Sequence, residues 1–435
     1  MKNKSVTKSK NVKNKSVKKS KILKTHDVSR HNIDGYNILL VNIPESDLIY
    51  IQSYINTGFL FETKKNSGIN HLLEHVLVNS WDQCTKYPCL EVLSNKGIQC
   101  NAHTGLTNVN YHITTTKDYI HEMLEYIITI TTKAKITKKN ISIEVNPVIN
   151  ELKQYATQPS SELIDIIQKE MFCGEGGKYA DDWELQIKNL KHLNEKTLKQ
   201  YYEDHYIPEK TSFIICGNIK KQNILDIFKG LIPTTNCGRS TTINYNRCFN
   251  VLKDNKYIFN KKPNRKNALC VFKYSLPSFD NKILLDFSLR CLKHELFHEL
   301  RYKKKLVYYL SCNVYSSHCG YIISISYETG INKVKQSHNS ILSTVEKYKN
   351  NFFTDKVITS RKKHQIINFE KENINNPEYI ARHYLKQFIF KQVQLYSPKS
   401  VFEKTKKITK DDIKKTMNIC FNNFIFGYQS AKKVF

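Results

Sequence analysis

His71-Leu72-Leu73-Glu74-His75 is the segment whose residue types and spacing best suit chemistry. At about 3.6 residues per turn, positions i and i+4 share a helix face, so both imidazoles can reach one metal ion while the glutamate at i+3 lies beside them. Ile69, Leu72, Leu73, Val76 and Leu77 supply the apolar side that packs such a helix down. Two histidines leave a zinc ion short of its usual third protein ligand, with a fourth position for water. A chain of this length with 15 histidines and 23 glutamates would contain H-x-x-E-H by chance about 0.03 times, so the string is suggestive and its context must decide.

A rival string, His294-Glu295-Leu296-Phe297-His298, has the opposite order, H-E-x-x-H. Its extended form would need a histidine at position 304, which is Lys304, and no acidic residue lies between Glu299 and Glu328. His318 is its one remaining candidate partner. Two histidines on an ordinary helix are the better reading. For the first string, Glu144 and Glu151 stand seven residues apart, two helical turns, and therefore on one face. Pro147 lies between them; with Asn146 as N-cap and Pro147 as first helical residue, Glu144 would fall just outside the helix.

At this point the sequence resembles the insulinase, pitrilysin and mitochondrial processing peptidase family of metallopeptidases. There, H-x-x-E-H is followed some 75 residues later by a glutamate ligand, with a second glutamate seven residues before it. Glu151 lies 76 residues beyond His75. Gly68, three residues before His71, and Asn101-Ala102-His103-Thr104 with Tyr111 are similar to further family features. So are Tyr201-Tyr202 through Pro208 to Gly217, and Leu300-Arg301-Tyr302-Lys303 through Leu306 and Tyr308. Asn70 and Lys305 stand where the family commonly has small residues.

The resemblance implies that His71, His75 and Glu151 hold one Zn²⁺ per chain, with Glu144 supporting them from behind. Zinc would lower the pKa of a bound water from about 15.7 toward about 7, and Glu74 would take its proton and pass it to the leaving amine. Arg301 and Tyr308 would assist at the substrate carbonyl. Asn101 and Ala102 would lie on an edge strand to which an extended peptide adds. The implied activity is zinc-dependent endopeptidase action on peptides or unfolded segments, in a homodimer or a heterodimer with a related chain. The alternative is a catalytically inactive homologue serving as a structural or peptide-binding subunit.

Composition agrees with a folded globular protein. The chain has 435 residues, 40% hydrophobic and 11% aromatic, with few glycines and prolines, which excludes collagen-like or largely disordered polymers. No apolar run approaches the ~18 residues that span a bilayer. The net charge of +29 divides into ten lysines within residues 1–24 and +19 over the rest. Of 68 basic residues only eight are arginine, and no base-reading motif accompanies them, so neither a dedicated nucleic-acid partner nor a membrane is expected. The twelve cysteines include no Cys-x-x-Cys and read as reduced thiols of an intracellular protein. The first arginine is Arg30, so the cytoplasm fits better than a mitochondrial presequence.

These residues need elements to position them. Residues 1–30 read as a solvated, disordered lysine-rich arm. Strands are expected over Asn37–Val41, Leu48–Ile55, Ile98–Ala102, Val109–Thr115 and Lys210–Cys216, and helices over Ile69–Asn79, 117–133, 138–156, 160–171 and Gln222–Lys229. Polar residues 234–250 read as a linker. After it the order begins again, with strands over Ala268–Ser275, Tyr308–Tyr315 and Gly320–Tyr327 and a helix over Asn281–Lys303. The expected class is α+β, with two related domains, 31–233 and 251–435, each an antiparallel sheet with helices on one face. The first would be catalytic and zinc-binding; the second would contribute to substrate binding.

Overall fold

The computed structural model describes residues 26–84, 88–233, 248–350, 353–371, 376–389 and 394–435. Most of the expected arm and linker lie outside these residues. Two sheets organise the chain. The first comprises β1 (Asp27–Ile33), β2 (Tyr36–Asn42), β3 (Leu48–Ile55), β4 (Gln99–Thr104), β5 (Val109–Thr116) and β6 (Thr211–Gly217), in the order β1-β2-β6-β3-β5-β4. The second comprises β7 (Lys256–Lys261), β8 (Asn267–Leu276), β9 (Leu310–Ser317), β10 (Gly320–Gly330) and β11 (Ile425–Ser430), in the order β7-β11-β8-β10-β9.

With β1 set aside, the two orders superpose strand for strand, which establishes the two domains as repeats of one topology. Neither sheet is purely antiparallel, as had been expected. The strand that closes each domain inserts beside the first, so β2 pairs with β6, and β7 with β11, in parallel. A closing strand reached through helices can enter in either direction; only tight hairpins force the antiparallel one. Asp27–Ile33 corrects the arm boundary as well. Its polar sequence conceals a strand that pairs along its whole length with β2, because an edge strand with both faces partly wet needs no apolar alternation.

On one face of the first sheet a large core gathers Ile38, Ile51, Ile113 and Phe213 with the helices Ile69–Val78, Ile120–Thr132 and Lys138–Ala156. The opposite faces are not left to solvent. Helix Pro377–Ile389, from the second half of the chain, lays Ile380, Ala381, Tyr384 and Leu385 against Leu39, Val41, Tyr50 and Ile214 of the first sheet. Helix Ser161–Met171, from the first half, lays Leu163, Ile167 and Met171 against Val271, Ile322 and Ile425 of the second. Each domain therefore lends the other a helix, and both sheets are covered on two faces rather than one.

Two further differences bear on the site. The helix Lys138–Ala156 runs unbroken through Pro147 from a Thr137 cap, so Glu144 lies within it. Pro147 forfeits one hydrogen bond, to the Ile143 carbonyl, and tertiary packing offsets that loss. In the second half the α-helix ends at Phe297 and continues as a π-helical turn, His298–Lys303, that carries Arg301. Lys305, with φ +53°, then holds a left-handed conformation that only glycine adopts without strain.

Cysteine pairing also departs from expectation. Cys84 is bonded to Cys89 and Cys248 to Cys319, with Cα separations of 5.1 and 5.7 Å that suit a disulfide. The second pair is 71 residues apart in sequence, so no local spacing could announce it.

Candidate metal centre

The helix Ile69–Val78 carries both histidines, and burial explains why it is there. Ile69, Leu72, Leu73, Val76 and Leu77 are wholly buried, each worth roughly 2 kcal/mol of apolar transfer, and they turn the His71 and His75 face toward the helix Lys138–Ala156. Gly68 precedes it at φ +97°, and a Cβ there would lie 3.2 Å from that of Gln186. The buried carboxylate of Glu62 caps the helix start, accepting from the Gly68 and Asn70 N–H groups at 2.8 and 2.9 Å.

Asn70, a departure from the resemblance, is fully buried and hydrogen-bonded. It donates through Nδ2 to the Gly58 carbonyl, Glu62 Oε1 and the Tyr201 hydroxyl, and accepts at Oδ1 from Thr57 Oγ1. A larger polar residue is accommodated because its neighbours match it.

Across from this helix, Glu151 places Oε2 at 3.5 Å from His71 Nε2 and 3.4 Å from His75 Nε2. The two rings stand edge to face with centroids 5.1 Å apart. One donor atom from each residue lies within 4.8 Å of the others, and among the described residues these three make the one such group of histidine, cysteine or acidic side chains. The second polar atoms of Glu151 and His75 are occupied. Glu151 Oε1 accepts from the Tyr155 hydroxyl, and His75 Nδ1 is 3.3 Å from Glu144 Oε2. Glu144 Oε1 accepts from Asn79 Nδ2 at 2.9 Å. This leaves His71 Nε2, His75 Nε2 and Glu151 Oε2 converging, the two-nitrogen, one-carboxylate set that suits a zinc ion with an open position.

The electrostatics agree. The bond from His71, then those from Tyr155 and the charge of His75, hold the Glu151 carboxyl down at about 2 against its own partial burial. Burial opposes a charge on His75, but the Glu144 bond and the carboxylates of Glu74 and Glu151 outweigh it and the imidazole is raised. The Glu151 carboxylate, held ionised beside the two histidine rings, makes a pocket that favours positive charge.

Glu74 is buried on the same helix, and its Oε2 accepts from Thr104 Oγ1 at 2.5 Å. One oxygen is thus fixed by the last residue of β4 while the other is unpaired among the described residues. β4 is one of the two edges of the first sheet. Asn101 Oδ1 accepts the N–H of Ala102 at 2.8 Å, so that N–H points away from β5 along the outer edge.

Arg301 and Tyr308 are brought to each other, and among the described residues no hydrogen bond or ion pair joins either to the triad. Arg301 donates to the Tyr308 carbonyl at 2.7 Å and its guanidinium lies 4.0 Å from that ring centroid. Tyr308 is 81% exposed, with Tyr302 and Tyr309 exposed nearby. The rival string assembles no site. His294 Nδ1 bonds its neighbour Glu295, whose other oxygen accepts from Tyr348, and the His294 and His298 rings are 6.5 Å apart. Asn79, Tyr155 and Glu62 were missed by sequence reasoning. Each acts through another residue, and no spacing rule points to it.

The family description "Insulinase (Peptidase family M16)" matches residues 37–178, and "Peptidase M16 inactive domain" matches residues 192–365. An uncharacterized zinc protease of Bacillus subtilis, YmxG, is 24% identical over 340 residues, 76% of this chain and 80% of that protein. The beta subunit of the Caenorhabditis elegans mitochondrial-processing peptidase is 21% identical, over 43% of this chain and 41% of its own. Subunit 1 of the rat cytochrome b-c1 complex is also 21% identical, over 40% of this chain and 36% of its own. A Helicobacter pylori protease of known structure shares the fold with a TM-score of 0.81 at 16% identity, covering 94% of this chain and all of that one. With both family descriptions matched in order along a pair of repeated domains, the chain belongs to the insulinase family of peptidases, M16.

Proposed function

We propose that the chain is a zinc-dependent endopeptidase that cleaves peptides or unfolded segments. The observation that supports this reading most is the convergence of His71 Nε2, His75 Nε2 and Glu151 Oε2, with the second polar atoms of His75 and Glu151 engaged by Glu144 and Tyr155. Zinc, when bound, supplies Lewis acidity that activates water and polarises the scissile carbonyl. Glu74, anchored by Thr104, accepts a proton at its second oxygen and delivers it to the leaving amine. An extended peptide lies along β4, its backbone displacing the Asn101 side chain from the Ala102 N–H.

Arg301 and Tyr308 serve a carbonyl presented by a partner chain, either a second copy or a related protein. Their exposure, and their bonding to each other rather than to the triad, support this arrangement. The description of the second half as an inactive domain fits a supporting role for it. The second reading, a non-catalytic subunit, draws on the similarity to cytochrome b-c1 subunit 1.

The test pairs metal analysis with peptide cleavage by wild type and Glu74→Gln. Zinc in both proteins with activity confined to wild type supports the peptidase. Zinc without activity in either supports the subunit, and absence of zinc from both refutes the metal centre. Mixing inactive Glu74→Gln with inactive Arg301→Ala should restore activity if the site is shared between copies.

A further inference from the structure

Asn79 ends the histidine helix and is bonded in two directions. Its Nδ2 donates to Glu144 Oε1 at 2.9 Å, and its Oδ1 accepts the N–H of Cys89 at 2.8 Å. Cys89 is the first residue of the helix Cys89–Asn95, so its N–H is one of the donors that a helix start leaves unpaired. Cys89 is wholly buried and tied to Cys84, which makes it a fixed anchor. A continuous chain of contacts therefore runs from the Cys89 backbone through Asn79 and Glu144 to His75 Nδ1.

Glu144 needs such a restraint. A glutamate carboxylate sits beyond three rotatable bonds, and Pro147 removes the backbone hydrogen bond to Ile143, the residue just before Glu144. Of its two oxygens, Oε2 faces His75 and Oε1 faces Asn79. The amide donates to one and thereby decides where the other points.

We propose that Asn79 is a positioning residue of the metal centre, holding Glu144 so that His75 keeps its proton on Nδ1 and presents Nε2 to the cation. The proposal rests on the zinc reading above and adds a residue to it. Without the amide the carboxylate turns, the imidazole loses its orienting acceptor, and zinc affinity falls by the 10- to 100-fold typical of an outer partner's loss.

The experiment uses the full chain and zinc itself, with affinity measured by competition against a chelating indicator for wild type, Asn79→Ala, Asn79→Asp, Glu144→Gln and the Asn79→Ala/Glu144→Gln pair. Asn79→Asp keeps an oxygen for the Cys89 N–H but replaces the donor to Glu144 with a like charge, so it separates helix capping from positioning. The expected result is weakened zinc binding of roughly 10-fold or more in both single Asn79 variants, with no further loss when Asn79→Ala is added to Glu144→Gln. The visible spectrum of the cobalt-substituted protein should shift in the same variants, reporting a changed ligand geometry. Wild-type affinity in Asn79→Asp, or losses that simply add in the double variant, overturns the proposal while leaving the metal centre standing. A wild type that binds no zinc refutes the underlying reading, and this one with it.

Discussion

Replacing Glu62 by glutamine should change how the stability of the first domain depends on pH. Burial pushes the Glu62 carboxyl up from 4.5 to about 7, even though the N–H groups of Gly68 and Asn70 and the Asn70 amide pull it down. The folded chain then binds this proton more tightly than the unfolded chain. The carboxyl's contribution is complete below pH 4.5, where both states are protonated, and is lost as pH rises toward 7. Over that window stability should fall by about 1.4 kcal/mol per pH step, roughly 3 kcal/mol in all. Glutamine fills the same space and does not titrate, so the wild-type advantage over Glu62→Gln should shrink by that amount between about pH 4 and 8. Urea unfolding of chelator-treated protein, followed by tryptophan emission, measures it. Both tryptophans, Trp81 and Trp183, lie in the first half, so the signal reports the domain concerned. Two curves whose separation stays constant across the window would show that Glu62 does not titrate there, and the reasoning from burial would fail.

Tyr155→Phe should weaken zinc binding by roughly 10-fold or more, since it frees the oxygen of Glu151 that Tyr155 holds; chelator competition reads this. Thr104→Val should slow peptide cleavage by about 10-fold or more while leaving zinc content unchanged, because it releases the oxygen of Glu74 that β4 fixes. Gly427→Ala places a Cβ 2.6 Å from Ile167 Cδ1 and 2.9 Å from Leu163 Cδ1. It should cost about 1–3 kcal/mol by overpacking the helix borrowed from the first half, seen as a lower urea midpoint.

What could be read from the sequence follows from which interactions are local. His71, Glu74 and His75 are legible because one helical turn places them together, and the apolar residues between them fix the buried side. Glu151 required the resemblance, since it lies 76 positions beyond His75 with two further α-helices between. Pro147 misled the placement of Glu144: a rule about isolated helices was overridden by packing of Val148, Ile149 and Leu152 in the core. β1 escaped notice because backbone pairing, not side-chain pattern, holds it. The borrowed helix Ser161–Met171 was recognisable as a helix, but nothing in a linear pattern says which sheet an amphipathic face will cover. Asn79 and Glu62 were invisible for a related reason: a polar side chain that satisfies a distant backbone donor has no sequence signature of its own.

The loan of Pro377–Ile389 to one sheet and of Ser161–Met171 to the other makes the halves hostages of each other. Cutting the polypeptide between residues 233 and 248 and producing either piece alone would strip a sheet of an apolar lid, baring Leu39, Val41 and Ile214 in one fragment or Val271, Ile322 and Ile425 in the other. Such pieces should aggregate when made singly and recover when made together. A pair of repeats arranged in this way cannot discard the one that lacks His71, His75 and Glu151.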